Sequence, residues 1–370
     1  LPQSLLVTVT IGISALAFVL EKKTKWGKQI SGVVIGMFTM ILLANLHIVP
    51  EKSEVYDFVY SWIVPIAIPM FLFKANLVSI FKETGKVLIA FILGGIGTII
   101  GAITMFFILG GTKELIKPLG LFTATYVGGT INFVAISELL KIEGDTLAAA
   151  VAADNVVMAF LIIGLFFIAV NNFFRKFFKF DDKDYLEEIE IEDNGAIYPL
   201  DIVYTISIAT VIATFSMFIS SYLKGIPHIL ISTAITVALA TSFPSFFGKI
   251  KGSEEIGIFF MYMFFTVVGA SANIHTIIQK GLYLFVFAGG TILIHLIFIL
   301  TTGYFFKIPL PEILIASNAN IGGPTTACGM AMAKKWEKLV VPSVLVGLFG
   351  YVIATLLAYN IVQIVAYFVK

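Results

Sequence analysis

Charge is scarce in this chain. Asp, Glu, Lys and Arg make up 13% of its 370 residues, about half the roughly 25% of an ordinary soluble domain. Basic residues outnumber acidic ones by a net charge of only +1, which gives no basic surface for nucleic acid. Cysteine is scarcer still: Cys328 stands alone, so no internal disulfide forms and the redox compartment stays open. The chain has no phosphate-binding glycine loop, no zinc-ligand cluster and no nucleophile–base pairing, so neither an ATP-driven pump nor a hydrolase is supported, and we read it as no enzyme. The first apolar stretch lacks a basic leader and a small-residue cleavage site, so it is not read as a cleavable signal. A start at Leu1 without Met reads as a trimmed terminus.

What the chain does have is apolar length. Apolar residues make up 59% and the mean hydropathy is +1.00, an excess that has to face lipid. A spanning helix needs about 20 mostly apolar residues. Twelve segments fit, at about 4–20, 29–48, 55–77, 87–109, 118–140 and 146–170, then 198–220, 227–247, 255–274, 281–306, 309–333 and 338–368. Residues 171–197 form the one long polar stretch, with Arg175, Lys176, Lys179 and the acidic run Asp181 to Asp193, and read as a solvated linker.

The two groups of six look like copies. Ala75-Asn76-Leu77 ends segment 3 and Ala272-Asn273-Ile274 ends segment 9. Gly94-Gly95 and Gly289-Gly290 occupy segments 4 and 10, while Gly128-Gly129 and Gly322-Gly323 occupy segments 5 and 11. The offsets are 197, 195 and 194, nearly one register, as internal duplication requires. Lys and Arg collect in cytoplasmic loops. With an outside N-terminus and segments 5 and 11 re-entrant, 16 basic residues fall inside and 7 outside; with all twelve segments crossing, the split is 12 against 11. The expectation is therefore two inverted repeats, with the 171–197 linker in the cytoplasm.

Segment 5 carries Thr123, Thr125, Tyr126, Gly128, Gly129, Thr130, Asn132 and Ser137; segment 11 carries Ser317, Asn318, Asn320, Gly322, Gly323, Pro324, Thr325 and Thr326. A broken helix at membrane depth is tolerated only beside protein or a water-filled cavity. Such a break offers free N–H groups for an anion and free carbonyls for sodium. Tyr126, Gly128, Gly129, Thr130, Asn132, Gly322, Gly323, Thr325 and Thr326 are thus the candidate substrate contacts. The same glycines would also allow close helix packing. Asp154-Asn155 lies deep in segment 6, and an intramembrane carboxylate is a functional candidate by default. With Asn318 and Asn320 it makes the candidate cation set; hydrogen bonding near a segment end is the structural alternative.

Weaker signals fill out the reading. Asn76 and Asn273 could cap helix ends, and His295 stands alone as a packing histidine. Glu138 and Glu312 are read as interfacial, and Pro65 and Pro69 should kink segment 3.

Thr125-Tyr-Val-Gly-Gly-Thr-Ile-Asn-Phe-Val-Ala135, Ala152-Ala-Asp-Asn-Val-Val-Met158, Ala316-Ser-Asn-Ala-Asn-Ile-Gly-Gly-Pro324 and Val341-Pro-Ser-Val-Leu-Val-Gly347 resemble the bacterial and plant membrane family catalogued as domain-of-unknown-function family 819. The layout is similar, more distantly, to sodium:glutamate, sodium:citrate and sodium:bile-acid symporters. That resemblance implies an all-α elevator-type transporter fold in the bacterial inner membrane, and a homodimer. It divides the first repeat, 1–170, into scaffold 1–80 and transport core 81–170, and the second, 198–370, into scaffold 198–276 and core 277–370.

Cation-coupled secondary transport of a small organic anion or amino acid follows, with Na⁺ as coupling ion, lipid as surroundings and no organic cofactor. No Arg lies within a segment, so solute charge must be met by amides, Na⁺ or no partner. A cation/proton antiporter using Asp154 is the alternative; a non-transporting membrane sensor or scaffold is the third.

Overall fold

The computed structural model describes residues 1–369 apart from 26, 28–30, 179, 187–195, 224 and 273. Among these residues the chain is helical, with no strand. Its helices are α1 (Gln3–Lys23), α2 (Gly32–Asn45), α3 (Glu54–Leu72), α4 (Leu77–Glu83), α5 (Lys86–Ile108), α6 (Ile116–Gly128), α7 (Thr130–Leu139) and α8 (Gly144–Val170). The linker helix α9 (Asn172–Phe178) follows. Then come α10 (Pro199–Tyr222), α11 (His228–Ser242), α12 (Ser253–Ala270), α13 (Ile274–Phe305), α14 (Leu310–Ala333) and α15 (Val340–Phe368).

Every expected segment is helical, but they are not alike. Eight helices among the described residues are long and apolar enough to cross a membrane. The other four expected segments fall in matched pairs. Segments 2 and 8, each expected at about twenty residues, shrink to α2 and α11, with 14 and 15 residues. Segment 8 ends early because Pro244 disfavours helical backbone at Phe243, which sits at ψ 55°. Segments 5 and 11 are the interrupted ones: α6 gives way to α7 at Gly129, and α14 breaks inside at Gly323.

Segment 3 does not simply bend at its prolines. Residues Val59–Ile63 form a π-helical turn just before Pro65, and Pro69 sits inside the helix that continues. A wider turn is one way to relieve a ladder bond that proline cannot make.

The packing sorts the helices into two groups. α1, α2, α3, α10, α11 and α12 pack on one another; so do α5, α6, α7, α8, α13, α14 and α15. Between them lie α7 on α3, α8 on α12, and α15 on α11 and α4. Asn76 caps α4, its Oδ1 accepting from the Val78 N–H at 3.0 Å; Asn273 lies outside the described residues. Outer faces are apolar, with Phe160, Ile163, Phe167, Leu282, Leu293 and Phe305 all exposed. Small residues seat α5 against α13: a Cβ on Gly97 would meet Phe298, and one on Gly101 the backbone at Thr291.

The linker is not free where it is described. The Asp182 carboxylate takes the Arg175 guanidinium at 2.7 Å and the indole N–H of fully buried Trp336 at 2.9 Å. Tyr185 donates to Glu312 at 3.4 Å, and Lys338 Nζ to the Asp184 carbonyl at 2.8 Å. Together these contacts tie the linker to both ends of α14. Burial pushes the Asp182 carboxyl up, but the Trp336 indole and Arg175 outweigh it and hold it below its ordinary value. Its contribution to docking is therefore complete above about pH 4 and is lost as pH falls through the lowered folded value. Asp182→Ala should speed tryptic cleavage of the linker about three- to tenfold at neutral pH, the upper end of which solvent screening trims. Equal cleavage rates in the two proteins at neutral pH would show that the clasp contributes nothing.

Candidate functional site

Two glycines set the geometry. Gly129 has φ 83° and ψ 179°, and Gly323 has φ 78° and ψ −171°, nearly the same conformation in the two halves. That region of backbone space is essentially reserved for glycine. The chain turns back at both places. Lys117, at the start of α6, donates its Nζ to the Lys141 carbonyl just past α7, at 3.0 Å. In α14 the Asn318 amide donates to the Thr326 carbonyl at 3.3 Å and touches the Met330 sulfur at 3.5 Å. Eight residues of straight helix would span about 12 Å, so residues 310–322 and 324–333 are two limbs of a hairpin. Its counterpart is formed by α6 and α7.

The hairpin tips meet. A Cβ placed on Gly129 would lie 3.2 Å from the Gly323 Cα. Segment 12 crosses behind them: a Cβ on Gly128 would collide with the Gly350 carbonyl, and one on Gly347 would lie 2.5 Å from Pro324. Two helices end and two begin at this point. Their partial charges converge there, positive from the starts of α7 and the second limb of α14, negative from the ends of α6 and the first limb.

The two breaks are not equally satisfied. Every carbonyl in the last turn of α6 has a donor. Thr125 takes the Gly129 N–H at 2.7 Å, Tyr126 the Thr98 hydroxyl at 2.8 Å, Val127 the Asn320 amide at 3.1 Å and Gly128 the Asn132 amide at 2.8 Å. These carbonyls are therefore poor cation ligands, which corrects the expectation that both breaks offer free ones. In α14 the backbone is helical on both sides of Gly323. Its two asparagines are buried, yet Oδ1 of both Asn318 and Asn320 lacks any hydrogen-bond partner. An unsatisfied buried acceptor costs about 1–3 kcal/mol.

The candidate residues divide as follows. Asn132 is fully buried, its Oδ1 accepting from the Thr355 N–H at 3.2 Å and hydroxyl at 2.7 Å. Thr130 and Gly322 flank the tips; a Cβ on Gly322 would strike Met158 and the Thr326 hydroxyl. Thr326 donates to the Gly323 carbonyl at 3.2 Å, whereas Thr325 is exposed and donates to Glu254 at 3.3 Å. Asp154 faces the buried Tyr126 hydroxyl, which has no formed hydrogen bond.

Asn155 departs from the expected cation set. Its amide donates to the Val151 carbonyl at 2.8 Å, and it lines a groove with Val34, Phe38 and Phe160. Successive helical residues point about 100° apart, so Asp154 and Asn155 cannot both turn to one centre. No hydrogen bond joins Asp154 to Asn318 or Asn320 among the described residues.

Five residues that the sequence left in the background complete the surroundings. His295 is buried between segments 4 and 11, with Nδ1 2.9 Å from both the Gly94 carbonyl and Thr98, and Nε2 2.9 Å from Ser317. A carbonyl can only accept, so Nδ1 carries the proton and Nε2 accepts from Ser317. Both ring nitrogens of this histidine are thus satisfied within the protein. Tyr351 and Thr355 in α15 touch the tips and Asn132; Glu254 touches Thr325. Thr98 and Thr355 sit in apolar helices where nothing in the linear pattern marks them, but Glu254 was visible as an acid at a segment end.

The family model described as protein of unknown function, DUF819, matches residues 8–368. The chain is also similar to the uncharacterized membrane protein YjcL of Bacillus subtilis (strain 168), at 34% identity over 363 residues, covering 92% of this chain and 91% of that protein. A match of that extent, on a chain with eight long apolar helices, makes this a multi-pass membrane protein that belongs to the DUF819 family.

Proposed function

We propose that the protein is a secondary transporter of the bacterial inner membrane, coupled to Na⁺ and carrying a small organic anion or amino acid. The observation that carries the reading is the contact between the two hairpin tips, with unpartnered buried amide oxygens on one of them. Two helix starts suit a carboxylate. The buried amide oxygen of Asn318 or of Asn320 supplies a ligand for a sodium ion. Discontinuous segments meeting between two repeats are a recurrent substrate site in secondary transporters. The matched short segments, matched breaks and 16-to-7 basic split favour inverted repeats with the linker in the cytoplasm.

The test is a thermal-shift screen of amino acids and carboxylates on purified protein, in Na⁺ and in K⁺ at equal ionic strength. Na⁺-dependent stabilisation by an organic ligand is the expected result; a protein indifferent to both would end the reading. Asp154 beside Tyr126 keeps a cation/proton antiporter open, which would instead release protons on Na⁺ addition with no organic ligand present.

An elevator movement is part of the proposal. Ile131, just past the first tip, lies in a crevice with Val64, Ala67, Ile68 and Phe71 of α3. Thr325, its counterpart past the second tip, lies instead beside Glu254 at the very start of α12. The 197-residue offset makes Asp57 the equivalent of Glu254. Exchanging the two arrangements would carry Ile131 to Asp57, roughly ten residues and about 15 Å along α3. Cysteines at Ile131 and Asp57 should therefore form a disulfide in membranes under oxidant, and the cross-link should stop transport. No cross-link under any condition, with both single cysteines reactive, would rule that stroke out.

A further inference from the structure

The scaffold helix α12 starts with two glutamates that behave differently. Glu255 is exposed, the ordinary position for an acid at a helix start. Glu254 is half-buried and turned to the hairpins, accepting the Thr325 hydroxyl at 3.3 Å. Thr325 is the second residue beyond the Gly323 turn. Tyr351, from α15, closes the group: a Cβ on Gly323 would lie 3.1 Å from its hydroxyl, and one on Gly129 3.6 Å from its ring. The Tyr351 hydroxyl lies within the field of the Glu254 carboxylate. Three elements thus bring a carboxylate, a phenol and a threonine hydroxyl to the hairpin tips.

Among the described residues no basic side chain forms an ion pair with that carboxylate. Among the described residues the one ion pair is Arg175–Asp182. A carboxylate turned to the hairpin tips attracts a positive partner there, and its hydroxyl neighbours can turn their oxygen lone pairs to the same centre.

We infer that Glu254, with Thr325 and Tyr351, receives a positively charged group at the tips of the paired hairpins. This rests on the transporter reading and narrows it. The helix starts offer positive ends for a carboxylate, and Glu254 lies beside them for the opposite charge. An amino-acid zwitterion, or an anion accompanied by Na⁺, meets both. A dianion alone meets repulsion. The position is repeated: Asp57 is the equivalent acid in the other half, exposed in this arrangement. In the exchanged arrangement it would take the same part toward the first hairpin, so each exit carries one acid.

The experiment uses the full chain in detergent and measures thermal stability against NaCl with choline chloride as control. It then compares each common amino acid with its deaminated carboxylate, in Na⁺. Glu254→Gln keeps the shape and removes the charge; Thr325→Val removes the hydroxyl and guards against a folding defect in the first variant. If the cation is Na⁺, Glu254→Gln raises the half-saturating NaCl concentration at least about tenfold. If it is a substrate ammonium, the wild type prefers one amino acid over its deaminated form, and Glu254→Gln loses that preference with NaCl saturation unchanged. Either result supports the inference. Wild-type responses retained in full by both variants overturn it while leaving the transporter reading in place. A wild type that answers neither to Na⁺ nor to any amino acid overturns both.

Discussion

Gly129→Leu and Gly323→Leu should each abolish solute uptake by proteoliposomes while leaving the protein inserted and extractable as a folded species. Both glycines hold a backbone conformation that costs other residues of order 1–3 kcal/mol. Strain alone would depopulate the native tip about ten- to hundredfold, since 1.4 kcal/mol is a factor of ten. The side chain adds a second penalty. At Gly129 a Cβ already comes within 3.2 Å of the opposing Gly323 backbone, so a leucine must push the hairpins apart. The helices that anchor the fold lie elsewhere, so insertion survives. Gly164→Leu is the control, because a Cβ there meets nothing within 4 Å and the residue lies on α8, away from the tips. Normal uptake by Gly129→Leu would show that the tip contact is packing and not part of a pathway.

The second large effect concerns Na⁺. A ligand bound only by the folded site stabilises by RT ln(1 + [L]/Kd), about 2.7 kcal/mol at one hundred times Kd. Na⁺ should therefore raise the melting temperature of the wild type more than K⁺ does at equal ionic strength. Asn320→Leu removes a buried oxygen that has no partner and also the amide that caps the Val127 carbonyl. It should lose most of the Na⁺-specific gain and some basal stability. Asp154→Asn keeps the shape and removes the charge next to Tyr126. It too should lose most of the gain if the carboxylate helps neutralise the ion. Asp154→Asn with the full Na⁺ effect and normal transport would make Asp154 structural, leaving the ion to Asn318 or Asn320. Loss of Na⁺-driven proton release in that variant alone would point to the antiporter.

Much of this arrangement could be read from the residues. Twelve apolar runs give the helices, because lipid exposure leaves a long apolar signature. The paired Gly-Gly centres at one offset gave the two breaks, because a polar, glycine-rich centre cannot sit in lipid as plain helix. What failed was pointing direction. Asp154 and Asn155 are adjacent and equally polar, and only the packed structure sends one toward Tyr126 and the other into the groove beside Val34. The carbonyls of α6 failed likewise. Composition says that a break frees them, but Thr98 and Asn320 arrive from other helices to cap them.

Sequence by itself determined a membrane-embedded helical chain, its apolar segments and the glycines at which two of them break. Each of these is a local property: apolar length, or a backbone angle only glycine holds without strain. Tertiary structure alone decided that the breaks are hairpins whose tips touch, that one is capped and the other leaves amide oxygens unpaired, and that Glu254 stands beside them. These depend on contacts between residues far apart in the chain, such as Asn132 with Thr355 across 223 positions and Val127 with Asn320 across 193. No local pattern encodes which distant donor meets which acceptor, because many pairings satisfy the same hydropathy and only close packing of the whole selects one.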